Sequence, residues 1–187
     1  MFQQISKMIL KWWGFKIVGD PGNHINKRLF VVIPHTSNWD FPLGLLLRSA
    51  CRIKVEFVGK SSLFKPPFGW FFKWLGGHPV DRSRRTNFVD SVVKIFETHD
   101  RLAIALAPEG TRSRVPTLKT GFYHIARLAK VPMILTRFDF GNMELVFSAP
   151  MYVSGDQHRD FQMIYDFFRD IKGKNPENSF VPPKDHN

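Results

Sequence analysis

A single-domain α/β sandwich around a mostly parallel sheet, with an interfacial amphipathic helix at its N-terminus, is the fold class this sequence predicts. Three observations carry the prediction. Short apolar runs rich in β-branched residues alternate with segments of helical periodicity, the pattern of strands and their covering helices. The two most polar motifs each follow directly on one of these runs, where open α/β sheets commonly place ligand sites. The chain of 187 residues is 43% hydrophobic, enough for one sizeable core, and no linker interrupts it.

Residues 1–16 place Phe2, Ile5, Met8, Ile9, Trp12 and Trp13 at helical spacing, with Lys7 and Lys11 between them. Such a helix rises about 24 Å, short of a hydrocarbon core of roughly 30 Å, so it is expected to lie on a membrane rather than cross it. Neither an uninterrupted apolar stretch nor a small-residue cleavage site marks a secretory leader. Strands are expected at 15–18, 29–33, 54–58, 103–106, 133–138 and 144–147. Pro42, followed by Leu43, Leu45, Leu46 and Leu47, opens a helix that carries the single cysteine, Cys51, as a core residue. One cysteine excludes an intramolecular disulfide and fits a reducing compartment. Helix 87–98 sets Phe88, Val89, Val92, Ile95 and Phe96 on one face, and helices 122–130 and 161–171 follow. Residues 172–187, polar and rich in Pro and Lys, are expected to form a loose tail.

The net charge of +11 calls for an anionic partner or surface. Residues 48–85 hold nine basic side chains against two acidic ones, and within them 64–75 is a dense aromatic cluster with two lysines. Trp and Phe beside Lys suit lipid headgroups, although the same composition also fits an aromatic core with solvated lysines.

The most informative stretch is Val31-Val32-Ile33-Pro34-His35-Thr36-Ser37-Asn38-Trp39-Asp40. On one continuous helix, residues five apart are rotated by roughly 140°, so His35 and Asp40 can meet only if the chain turns between them. Ser37 and Asn38 favour that turn. Asp40 would then hold one ring nitrogen of His35 and leave the other to take a proton from a hydroxyl. The plain alternative is an N-cap aspartate beside a loop histidine. A second motif, Ala107-Pro108-Glu109-Gly110-Thr111-Arg112-Ser113, joins a carboxylate, a glycine that admits close backbone approach, a hydroxyl and an arginine, a set suited to an anionic, hydroxylated ligand. Here the plain alternative is a surface ion pair between Glu109 and Arg112. Between the two motifs lies Gly76-Gly77-His78-Pro79-Val80-Asp81-Arg82, with a further arginine after a short β-like segment.

In order and spacing these blocks resemble the glycerolipid acyltransferase family, the lysophosphatidate acyltransferases and their relatives, whose first motif is His-x4-Asp. The matching blocks are His35 to Asp40, Gly77 to Arg82, Pro108 to Ser113, and Val131-Pro132-Met133-Ile134. Lys60, Leu63, Phe64, Gly69 and Trp70 look like the family's basic and aromatic link between the first two blocks. The resemblance spans roughly residues 14 to 150. His78 departs from the family's usual apolar residue, and Thr136 stands where many members have proline. The resemblance implies transfer of a fatty acyl group from a thioester, acyl-CoA or acyl carrier protein, to the hydroxyl of a lysophospholipid. It assigns His35 as general base, Asp40 as its orienting partner, and Lys60, Arg82, Glu109, Gly110, Thr111 and Arg112 to the acceptor and its phosphate. Neither metal nor cofactor is expected. The domain organisation expected is a membrane-surface helix at 1–16, an acyltransferase domain at 17–171 and a polar tail at 172–187, attached peripherally to the cytoplasmic face of an anionic cell membrane. The acceptor is left open between lysophosphatidate, another lysolipid and a lyso-aminolipid.

Other chemistries lack their residues. Gly59-Lys60-Ser61 resembles the end of a phosphate-binding P-loop, but Lys54 stands where its first glycine is required. Gly-x-Ser-x-Gly, His-Glu-x-x-His and cysteine-pair motifs are all missing. Basic charge interleaved with aromatics also suits single-stranded nucleic acid, yet that reading leaves His35, Asp40 and 108–112 without a purpose, and no nucleic-acid partner is expected. A catalytically silent membrane-binding module is the other alternative, separable from an enzyme by substituting His35.

Overall fold

The structure, a computed structural model, describes residues 2–80 and 85–183, with the backbone alone at 85–87. Its elements in chain order are α1 (Phe2–Trp12), β1 (Lys16–Val18), β2 (Lys27–Ile33), α2 (Asp40–Ala50), β3 (Glu56–Lys60), α3 (Gly69–Trp74), β4 (Gly77–Val80), α4 (Arg85–Glu97), β5 (Leu102–Leu106), α5 (Gly121–Ala129), β6 (Met133–Asp139), β7 (Glu144–Phe147) and α6 (Gln157–Phe167). Seven strands form one sheet in the order β1-β7-β6-β2-β5-β3-β4. Every neighbouring pair is parallel except β6 with β7.

Strand β2 explains the two-layered cover. Its side chains alternate, so Leu29, Val31 and Ile33 enter one core while Phe30 and Val32 enter the other. The first core is closed by Val92 and Phe96 of α4, Phe122 and Ile125 of α5, and Ile164 of α6. The second is closed by Leu10 of α1 and by Leu43 and Leu47 of α2. Helix α1 docks on α2 through small and polar groups: Ser6 Oγ donates to Ser49 Oγ at 2.8 Å and Gln3 Nε2 to the Ala50 carbonyl at 3.1 Å. Its other face leaves Phe2, Ile5, Met8 and Trp12 exposed, Trp12 by 88%. Among the described residues no helix is long and apolar enough to cross a membrane.

Three expectations shift. Strand β3 lies two residues later than apolar patterning suggests, because its register is set by β4, with Gly59 opposite Pro79 and Lys60 opposite Val80. Helix α6 begins four residues early, since Asp156 caps it by accepting from the Arg159 amide at 3.1 Å and so outweighs the apolar pattern that starts at Phe161. The loose tail expected at 172–187 is corrected over 172–183, the rest lying outside the described residues: Ser179 and Phe180 are buried, Phe180 to 1% exposure, and Gly173 N–H donates to Ser179 Oγ at 2.9 Å. Polar composition misled there because a single aromatic anchor suffices to dock a short segment on a core.

Candidate active site

Adjacent parallel strands build the site. β2 and β5 pair with Val31 opposite Leu106, so the residues that follow each strand emerge side by side on one edge of the sheet. Past β2 the chain turns through 34–39 and enters α2 at Asp40. The N-cap position belongs to Trp39, which makes no side-chain cap, so Asp40 is not an N-cap aspartate. Its Oδ2 instead accepts from the Thr36 amide at 2.8 Å and the Ser37 amide at 2.9 Å, folding the turn back on itself. The same oxygen lies 3.1 Å from His35 Nδ1. Asp40 is buried and His35 half-buried. With Nδ1–H donated to Asp40, Nε2 carries the free lone pair and has no hydrogen-bond partner among the described residues.

Glu109 reaches the same loop from behind. Its Oε2 accepts from the His35 backbone amide at 2.6 Å across 74 residues of sequence. The side chain is only 2% exposed and does not line the cavity, so Glu109 holds the histidine's backbone rather than facing an acceptor, as the family resemblance implied. Burial pushes its carboxyl up to about 7, against the pull of the His35 amide and with help from the charge of Asp40.

This has a measurable sign. The unfolded carboxyl ionises near its ordinary 4.5 and the folded one near 7, so stability falls by about 3 kcal/mol as pH rises through that window and is constant above it. Glu109→Gln keeps an acceptor for the His35 amide and removes the titration. The variant should gain thermal stability relative to the unaltered protein between pH 5 and pH 8, the pH values at which unfolding would be compared. An equal difference at both pH values would show that Glu109 ionises normally.

His35 and Asp40 open into a cavity of about 1360 Å³. One part is apolar, running between α2 and the sheet past Val32, Gly44, Leu47, Phe138 and Phe147. The other is a basic and polar mouth with Lys60, Gly110, Thr111 and Arg112 in its wall. Four of the expected site residues thus line the same cavity as His35 and Asp40, and Glu109 contacts the loop from behind. Arg82 lies outside the described residues.

Gly110 has φ +68° and sits beneath Lys119, whose Nζ would lie 2.5 Å from a Cβ at that position. Lys119 is thereby a further cation over the motif, and it also lines the cavity. Sequence reasoning missed it because the loop 110–118 returns to Pro108, whose carbonyl accepts from the Lys119 amide at 3.0 Å, without any periodic pattern. His78 and Thr136, the two departures from the family pattern, both have partners. His78 Nε2 lies 2.5 Å from Glu56 Oε2, and Thr136, buried in β6, bonds its hydroxyl to the Ile134 carbonyl at 3.3 Å. Burial raises the Glu56 carboxyl, but the bonds to His78 and Lys54 outweigh it and leave the group below its ordinary value. Arg48 is spent internally, donating to the Val55 and Leu75 carbonyls at 3.1 and 2.7 Å.

Comparison with known proteins shows the family of the chain and the likeness of its fold. The family model described as Acyltransferase matches residues 16–137. A 1-acyl-sn-glycerol-3-phosphate acyltransferase of Saccharomyces cerevisiae is 30% identical over 141 residues, covering 71% of this chain and 45% of that protein. One from Haemophilus influenzae is 31% identical over 139 residues, covering 65% and 57%. The chain therefore spans about half the length of these curated relatives. Among solved structures, the 1-acyl-sn-glycerophosphate acyltransferase PlsC of Thermotoga maritima superposes with a TM-score of 0.56 at 18% identity, covering 89% of this chain and 78% of that one, a likeness of fold.

Proposed function

The chain belongs to the glycerolipid acyltransferase family, and we propose that it moves a fatty acyl group from a thioester donor to the free hydroxyl of a lysophospholipid, 1-acyl-glycerol-3-phosphate foremost. The observation that carries this reading is the His35–Asp40 pair, with Nε2 unpartnered among the described residues, at the junction of an apolar cavity and a basic mouth. His35 Nε2 takes the hydroxyl proton as the acceptor oxygen attacks the thioester carbonyl. The tetrahedral intermediate expels the thiolate, and the proton passes from His35 to that sulfur. The donor is already activated, so no acyl-enzyme is needed.

Arg112 and Lys60 suit the acceptor phosphate, Arg112 through its planar fork. The apolar part of the cavity suits the acyl chain. Attachment is proposed to be peripheral, on the cytoplasmic face of the membrane. The stripe Phe2, Ile5, Met8 and Trp12 and the tip around α3, where Trp70 and Trp74 are 71% and 75% exposed, favour it, as do Lys65 and Lys73.

The test is mass spectrometry of the lipids formed from palmitoyl-CoA or palmitoyl carrier protein with a panel of lysolipids, lyso-aminolipids included, presented in anionic vesicles. Phosphatidate made from lysophosphatidate is the expected product. Its absence beside product from another acceptor would replace the substrate, and no product from any pair would overturn the reaction. Failure of the protein to float with the vesicles would remove the membrane attachment.

A further inference from the structure

The segment after α6 returns to the catalytic loop. Ile171 and Phe180 anchor its two ends in the core, and between them the chain runs across Thr36, the residue that follows His35. Gly173 allows the approach: a Cβ there would stand 2.4 Å from Thr36 Oγ1. Asn175 then makes two hydrogen bonds to Thr36 across 139 residues of sequence, its amide N–H to Oγ1 at 3.2 Å and its side-chain Nδ2 to the backbone carbonyl at 2.9 Å.

The second bond matters chemically. The Thr36 carbonyl and the Ser37 N–H belong to one planar peptide unit, and that N–H is one of the two amides that hold Asp40 Oδ2. A donor on the carbonyl fixes the tilt of the plane and polarises it, which strengthens the N–H bond on its far side. Asp40 Oδ2 is the atom that receives His35 Nδ1–H. We propose that Asn175 is a positioning residue for the reaction, aiming the Asp40 carboxylate, and through it the His35 ring, by clamping the Thr36–Ser37 peptide. The proposal rests on the acyl-transfer reading for its kinetic consequence but not for its geometry. The segment's own packing does not depend on the Asn175 amide group, because Ile171, Phe180 and the Gly173–Ser179 bond hold it without that group.

Asn175→Asp, the same shape without the donor, and Asn175→Ala are the variants, with melting temperature as the check on folding. Both should lower kcat for lysophosphatidate acylation by about 10- to 100-fold, with KM for donor and acceptor within about twofold. In both, hydrogen exchange at the Thr36 and Ser37 amides should quicken, read by mass spectrometry on the 34–41 peptide. If Asn175→Ala does not fold, the isosteric Asp variant decides. Asn175→Asp with kcat within about twofold of the unaltered protein, or with unchanged exchange at 36 and 37, overturns the proposal. If the unaltered protein makes no acylated product, the reaction assigned above falls, and the exchange measurement alone decides the clamp.

Discussion

His35→Ala should lower kcat for acyl transfer by about 10²- to 10⁴-fold, the contribution of a positioned general base, while leaving the fold and vesicle binding intact. The stability cost is small because the ring is half-buried and its one side-chain partner among the described residues is Asp40, which keeps two backbone amides when the imidazole is gone. One lost hydrogen bond is worth about 1 kcal/mol. Turnover by purified variant and unaltered protein, followed by product mass spectrometry, checks this. Undiminished turnover would mean that no proton passes through His35 and would overturn its role as the general base.

Substitution of Asp40 should separate charge from architecture. Asp40→Ala removes the acceptor for the Thr36 and Ser37 amides and for His35 Nδ1. Leaving those backbone donors unsatisfied costs about 2 to 5 kcal/mol, enough to lower the melting temperature by many degrees, and turnover falls with the loop. Asp40→Asn can keep a carbonyl oxygen where Oδ2 stands, so the turn should survive. It loses the negative charge that stabilises the imidazolium, and kcat should fall about a hundredfold at nearly unchanged melting temperature. Thermal unfolding and kinetics on both variants decide it. Equal stability of the Ala and Asn variants would show that the two amides do not depend on Asp40.

The parts of the fold that were legible are those with a local signature. Alternation in β2, the one-sided face of α4 and the polar residues following β2 and β5 all reflect side-chain period or residue chemistry within a few positions. Strand β4 was weaker because Gly77, His78 and Pro79 carry little β-propensity, and its place depends on pairing with β3. The site shows the same division. His35 and Asp40 lie five residues apart and were readable as a pair, whereas Glu109 was legible as a polar residue after a strand but not as a buried one.

The sequence by itself determined the chemistry available to this protein: a histidine with its carboxylate, a basic and hydroxyl-bearing block, and an excess of positive charge beside exposed-type aromatics. It also determined the α/β class, because hydrophobic period is a local property. Only the tertiary structure decided which groups meet. The adjacency of β2 and β5 turns Glu109 inward onto the His35 amide, and the packing of Phe180 carries Asn175 onto Thr36. Those contacts follow from strand order and the path of the backbone through a close-packed core, and no window of neighbouring residues encodes either.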